Sequence, residues 1–572
     1  MKQLPYYTII LLALLHPMKT ISSENMAGEN TKPERIVNLI NFIRQSEPRD
    51  SAITEDVLVE TVRQQILLYK KYNMPGTFLL QYDALINPRY QQLLKDSIPP
   101  NSLIGAWWEI TQPHAEAAGL RWRGRYEWDW HVNVGFAIGY TPKEREKLID
   151  VYMDKFKSIF GYYPKVVGCW FIDSHSLGYM YKKYGIEGSC NIKDQIGTDG
   201  YSLWGGYWNN AFYPSKINAY MPAQSAENQI PVPIFRMLGS DPIYQYDNGL
   251  GGTCQSVESL EPVFKDSGAN PAWVDYFFQS AFNAPCLNFS YVQAGQENSF
   301  TWALIKDGLT MQVQKLDSLR AIDVIRIETL LETSRWFKAK YPTTPPTSIS
   351  ALNDYKRENN NTVWYNSRFY RANLLWGNDS FRFRDIHFFD ENIKSEYFQN
   401  NVTTTTSVYQ TLPVVDGFQW SNKTNIAGLR LVKLNSKEQS SEIILEDPIV
   451  NQIDDTSVQI RCKARGLQCF FLIRLSENCI GISCDKKDIL WALELNGVAN
   501  NIKMPFKNVG KNIIEAEFRD NQYRIECKES YFKRPNDSEN FVFRILPELD
   551  SIVIINPLSI GYFPNSSYRR WF

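Results

Sequence analysis

The chain has 572 residues, with 61 basic against 62 acidic side chains and a formal net charge of -1, so nothing draws the whole molecule to nucleic acid or to an anionic membrane. Hydrophobic residues at 44% and charged residues at 22% exclude a disordered or fibrous chain and supply a large core. Division by roughly 150 residues per domain gives three to four units, but a barrel absorbs about 250 or more as one, so two or three folded units are expected.

Met1-Lys2-Gln3 followed by the apolar stretch Thr8 to Leu15 has the basic and short apolar regions of a secretory signal. Residues 1–23 are read as that signal, which predicts a secreted or periplasmic protein with no membrane insertion after its removal. Residues 31–341 then alternate strand-like runs with helical periods, the pattern of a parallel α/β architecture. Strands are expected at 36–43, 76–80, 103–108, 166–172, 231–238 and 286–292. Helices are expected at 55–72, where Val59, Val62 and Ile66 share a face, at 143–160, where Leu148, Met153 and Phe156 do, and at about 318–340. About six strand-plus-connection units indicate a barrel-like domain. Pro342 to Thr347 reads as a linker. From 348 to 572, short β-branched and aromatic runs divided by Asn, Asp and Gly turns read as a β-sandwich-like domain. Five of the nine Cys, at 462, 469, 479, 484 and 527, cluster here, so one or two disulfides are expected in an exported chain.

In α/β barrels the reacting groups gather at the C-terminal ends of strands. Glu109, Asp173 and Glu297 each end a predicted strand, and Asp83 lies just past another. Two carboxylates across a sugar-sized gap are what glycoside hydrolysis needs, one as acid and one as nucleophile or base; the alternative is that such carboxylates cap helices or pair with Arg. Aromatic residues make up 14% of the chain, and eight of its 16 Trp fall between positions 107 and 208. Trp107, Trp108 and Trp130 are candidate stacking surfaces for sugars, and the mixed segment 121–131 is a candidate functional loop; packing of the loop onto the barrel is the alternative. Arg44, His131, Asp194, Asp199, Arg236 and Asp241 are candidate contacts to hydroxyls or carboxylates, although Asp also forms turns. His114, His131 and His175 share the aromatic region but stand at no ligand-pair spacing, so no cofactor is predicted and a divalent metal is a minor alternative. There is no phosphate loop, dinucleotide fingerprint or Gly-x-Ser-x-Gly elbow.

The succession Asn73-Met74-Pro75-Gly76-Thr77-Phe78-Leu79-Leu80, Gly105-Ala106-Trp107-Trp108-Glu109-Ile110 and Phe160-Gly161-Tyr162-Tyr163-Pro164 resembles the glycoside hydrolase/deacetylase superfamily, and within it exported bacterial proteins with a barrel and a β-rich domain. The resemblance covers about residues 35 to 310 and implies an irregular seven-stranded barrel. Deacetylases of that superfamily carry an Asp-Asp pair after strand one and His-x-x-x-His after strand three, whereas here Arg44 and the single His114 stand there. Its glycoside hydrolases place a nucleophile after strand four and an acid near strand seven, positions that Asp173 and Glu297 approximate. The leading expectation is thus an exported glycoside hydrolase acting on a carbohydrate, with Asp173 as nucleophile or base, Glu297 as acid and Glu109 assisting. The alternatives are a metal-dependent deacetylase with a rearranged site and a non-catalytic glycan-binding protein.

Overall fold

A computed structural model of the chain describes residues 33–199, 201–535 and 543–563; the segment read as a signal peptide lies outside them. Among the described residues no helix is long and apolar enough to cross a membrane.

The first half builds a barrel from seven parallel strands: β1 (Glu34–Ile43), β2 (Thr77–Leu80), β3 (Leu103–Trp107), β4 (Val166–Gly168), β5 (Gly188–Asn191), β6 (Ile234–Arg236) and β7 (Phe289–Ala294). They pair in the order β7-β1-β2-β3-β4-β5-β6. A strand covered on both faces can be apolar throughout, and β1 is buried from Arg35 to Ile43. Among the described residues no ladder joins β6 to β7. Asn210 closes this seam: its carbonyl accepts from Arg236 N at 2.9 Å and its side-chain oxygen accepts from Tyr291 N at 2.8 Å.

The outer layer is helical: α1 (Glu55–Lys71), α2 (Pro142–Phe160), α3 (Ser174–Tyr184), α4 (Pro271–Phe282), α5 (Thr301–Ala321) and α6 (Leu330–Lys340) are its longer members. Helix α2 starts on a capping box between Thr141 and Glu144, with Pro142 in its first turn, and stops at Gly161 in the left-handed region (φ 84°). The single helix expected over 318–340 is two helices. Asp323 turns the chain at φ 54°, and Arg326–Glu328 adds a short strand beside β1.

The second half is antiparallel β, as the alternating runs predict, in one sheet of ten strands and one of eight. The sheets meet at contacts such as Phe471 edge-on to Trp491, centroids 5.2 Å apart. The nine cysteines are free thiols, so the expected disulfides are not formed. Residues 342–347 are tied down: Thr344 accepts from Tyr213 N at 2.9 Å, and the Pro345 and Pro346 carbonyls accept from Tyr207 and Asn288.

This β region leans on the barrel where β4, β5 and β6 end. Arg145 of α2, fully buried, donates to the Tyr397 and Asn400 carbonyls at 2.6 Å each. Asp194, just past β5, pairs with Arg236 of β6 at 2.6 Å and with Arg371 of the ten-stranded sheet. Arg371 also grips Asp385 at 2.8 and 2.7 Å, and His387 lies between Asp385 and Asp416. Trp208 stacks flat on Trp364 at 4.0 Å. The ends of β1, β2, β3 and β7 are left for other work.

Candidate active site

Arg44 follows β1 and is fixed first through its backbone. Its N–H donates to Asn298 Oδ1 at 2.9 Å, and its carbonyl accepts from Asn298 Nδ2 at 2.8 Å and from Tyr90 OH at 3.1 Å. Glu297 is brought to it by Gly295, whose φ of 96° turns the chain at the end of β7. A Cβ there would lie 2.3 Å from the Ile40 carbonyl oxygen, so only glycine fits. Glu109 arrives two residues past the end of β3.

One guanidinium nitrogen of Arg44 touches both acids, Glu297 Oε2 at 3.1 Å and Glu109 Oε2 at 3.3 Å. Glu109 also accepts from Trp107 Nε1 at 2.8 Å and from Gln81 Nε2. The two environments differ. Glu109 is surrounded by three donors, whereas Glu297 has the arginine alone in a desolvated place, and burial pushes its carboxyl up to about 7 against the lowering effect of Arg44. Burial opposes the charge on Arg44, yet Glu109 and Glu297 overcome it and hold the guanidinium proton more firmly.

Below this trio Phe42 stacks on Trp107 at 4.0 Å, with Trp170 edge-on to both. Above it, Trp128 lies flat on Arg44 at 4.0 Å. Arg49 packs on Trp128 and Trp130 at 5.1 and 5.2 Å while gripping Glu47 through two bonds of 2.7 Å. Arg44 Nε, Gln81 Oε1 and Trp128 Nε1 are buried here without a hydrogen-bond partner among the described residues. Such orphaned polar atoms mark a place where a polar guest gains bonds.

The structure therefore brings together Arg44, Glu109 and Glu297 from the expected set, with Asp83 close enough to feel the charges of Arg44 and Glu109. Asp173 is committed elsewhere. It caps α3, accepting from Ser176 N at 2.9 Å and Ser176 Oγ at 2.7 Å, and it pairs with Arg145 at 3.0 Å. Asp194 and Arg236 belong to the contact with the β region. Asp241 is spent on a turn, accepting from Ile243 N, Tyr244 N and the Trp273 indole at 2.7 to 2.8 Å. Asp199 is exposed, 3.7 Å from Arg49. Trp107 and Trp108 are fully buried and show no face to a sugar, whereas Trp130 is half-buried, stacked on Tyr126. His131 pairs with Asp129 at 2.8 Å. Gln81, Arg49 and Trp128 are the additions the sequence reading lacked. Gln81, directly after β2, had a positional signal, Trp128 had only its place in the mixed loop, and Arg49 had none.

The barrel mouth does not fit a divalent-metal centre of the deacetylase kind. A guanidinium stands between the acids. His114 gives Nε2 to the Leu148 carbonyl at 2.9 Å, is stacked on Tyr82 and is kept neutral by burial, its pKa lowered to about 4. Among the described residues, one group of three or more His, Cys, Asp or Glu side chains converges tightly enough for an ion, namely Cys469, Cys484 and Asp485 in the eight-stranded sheet.

No family model matches the chain, and no curated protein matches it. Among solved structures, a Parabacteroides distasonis protein provisionally described as a glycoside hydrolase/deacetylase aligns at 16% identity and TM-score 0.50, over 67% of this chain and 89% of its own. Proteins of Mycobacterium smegmatis and Pseudomonas aeruginosa PAO1, both provisionally described as polysaccharide deacetylases, align at 11% identity and TM-score 0.33, covering 55% and 54% of this chain and 93% of their own. Over the aligned two thirds the chain shares the fold of the Parabacteroides protein; in this chain a nearly closed barrel is followed by an all-β region.

Proposed function

We propose that the protein is a carbohydrate-active hydrolase that cleaves glycosidic bonds at the barrel mouth, with Glu297 as the acid and Glu109 as the nucleophile. The observation that carries this reading is the pair of carboxylates on Arg44: three donors bond Glu109, while burial holds the proton on Glu297, and a protonated carboxyl beside a hydrogen-bonded one is the pairing that glycoside hydrolysis uses. Both touch one nitrogen, at 3.1 and 3.3 Å, a proximity that supports the about 5 to 5.5 Å spacing of a retaining pair over the about 6.5 to 9.5 Å of an inverting one. The reading is thus a retaining one. Glu297 gives its proton to the departing glycosidic oxygen as a Glu109 oxygen bonds to the anomeric carbon. Water then breaks that ester while Glu297 takes a proton back, which restores both groups.

Both acids are almost completely buried and Trp128 of the 121–131 loop covers Arg44, so this reading requires that loop to move for a sugar to reach them. Asp173, the nucleophile suggested by its position after β4, serves here as a cap and an ion-pair partner. Metal-dependent deacetylation has less support, because Arg44 and His114 stand where its ligands would be. The basic and then apolar N-terminal segment supports export to where such a substrate is met. The test is release of reducing ends from a panel of oligosaccharides by the purified chain, with Glu297→Gln and Glu109→Gln as controls. A loss of roughly two orders of magnitude or more is expected in each variant, and wild-type release by both would overturn the assignment.

A further inference from the structure

The eight-stranded sheet carries a cluster of reactive side chains that the barrel chemistry does not use. Its strands Phe470–Ser476 and Cys479–Cys484 form an antiparallel hairpin with Phe471 opposite Cys484. At the open end of this hairpin the chain entering at Cys469 therefore meets the chain leaving at Asp485. Backbone bonds fix both: Asp485 N donates to the Phe470 carbonyl at 3.1 Å, and the Cys469 carbonyl accepts from Ala464 N at 3.1 Å. One ligand atom each from Cys469, Cys484 and Asp485, two sulfurs and a carboxylate oxygen, lie within 4.8 Å of one another.

The chemistry of the three favours a shared cation. Cys469 and Cys484 are buried, and Asp485 is exposed. Asp485 is held in place by its neighbour, one oxygen accepting from Phe470 N at 2.8 Å, and it has no ion-pair partner among the described residues. The Cys469 thiol donates to the Cys484 sulfur, and the Lys486 backbone N–H bonds the same sulfur, which favours its thiolate form. Burial pushes the Cys469 thiol up to about 12, with Cys484 and Asp485 adding to the effect and Lys486 opposing it. Two thiols that hold their protons beside an unpaired carboxylate become good ligands once a cation lies between them.

We infer that Cys469, Cys484 and Asp485 bind a divalent ion of the zinc class, with water in the fourth position. Ligand atoms about 2.0 to 2.3 Å from a tetrahedral ion stand about 3.3 to 3.8 Å apart, so a closure of about 1 Å by side-chain rotation completes the site. Two thiolates select a borderline-soft ion over magnesium or calcium, which prefer oxygen ligands. Binding is balanced by proton release: two S–H bonds break, two metal–sulfur bonds form and both protons leave to solvent. The ion ties the open end of the hairpin to the turn that follows Ala464, so it stabilises the β region and stands apart from the hydrolase reading. A disulfide would use the same two sulfurs and leave Asp485 without a role, which makes it the alternative that the test must separate.

The experiment is metal analysis and thiol mapping of the chain purified without chelator or added thiol, followed by metal removal, reduction and titration with zinc and with cobalt(II). A single zinc per chain is expected to bind, and cobalt is expected to show tetrahedral d–d bands with a thiolate-to-cobalt charge-transfer band. Cys469→Ser combined with Cys484→Ser should abolish that band, together with the rise in Tm that zinc gives the wild type. Asp485→Asn, at an exposed position where folding is not at risk, should keep the band and weaken zinc by at least about tenfold. The inference is overturned by a reduced wild type that binds no zinc, or by wild-type affinity in either variant. A Cys469–Cys484 disulfide in the chain as purified overturns it equally.

Discussion

Arg44 and Glu297 stand 3.1 Å apart, and Glu297 nevertheless keeps its proton up to about 7 because the cost of burying its charge exceeds the pull of the arginine. The pair is thus an ion pair above neutrality and a cation beside a neutral acid below it.

That relationship sets a pH dependence. The folded value of about 7 lies above the ordinary 4.5, so the folded state binds this proton more tightly than the unfolded one. The resulting stability is complete below about pH 4.5 and is lost as pH rises through about 7. Asp83, raised from 3.8 to about 7, acts in the same direction. Melting of wild type and Glu297→Gln from pH 4 to 8 should show the wild type losing ground to the variant across that window; parallel curves would count against a buried neutral Glu297. In turnover, kcat/KM should fall above about pH 7 as the donor loses its proton.

Arg44 is the only cation found in ion-pair contact with both acids among the described residues. Arg44→Ala leaves two buried carboxylates without it, and breaking a buried pair in this way costs about 3 to 5 kcal/mol. Chemical denaturation should register that loss. In whatever fraction stays folded, the alkaline limb of the rate should move to higher pH, because the group that lowers Glu297 is gone.

Asp173→Asn separates capping from catalysis. Asn caps helices about as well as Asp, so the variant loses mainly the 3.0 Å ion pair with buried Arg145. Lower stability with near wild-type turnover per folded molecule is expected. A loss of turnover by orders of magnitude at unchanged stability would return the nucleophile to Asp173.

The contact between barrel and β region is predicted to hinge on Arg371, which joins Asp194 to Asp385 while fully buried. Arg371→Leu should cost about 3 to 5 kcal/mol, and Asp194→Asn combined with it should cost less than the two separately, since both remove one interaction. Additive losses would show that the two residues are not coupled.

The legible parts of this fold are those whose signal is local. The apolar run of β1, interrupted at Asn38 and Asn41, and the helical period of Leu148, Met153 and Phe156 in α2 can be read directly, and so can the strand-end placement of Glu109 and Glu297. β5, with the sequence Gly-Ser-Cys-Asn, offers neither alternation nor β-branched residues, and its identity comes from pairing with β4 and β6 on either side. Asp194 and Arg236 read as substrate contacts because polar turns follow strands; their partner Arg371 lies 177 residues beyond Asp194, out of reach of any local pattern. The Trp cluster was visible as a density of rings, but composition does not distinguish Trp107, buried against Phe42, from Trp130 at the surface.

The most direct test of the acid and nucleophile roles is the leaving-group dependence of turnover on a panel of aryl glycosides. In kcat/KM, which reports the step that breaks the glycosidic bond, Glu297→Gln should lose roughly two to four orders of magnitude on glycosides with poor leaving groups and little on dinitrophenyl glycosides, whose departure needs no proton, while Glu109→Gln should lose both. Equal losses on the two classes by Glu297→Gln, or wild-type rates in Glu109→Gln, would contradict the account.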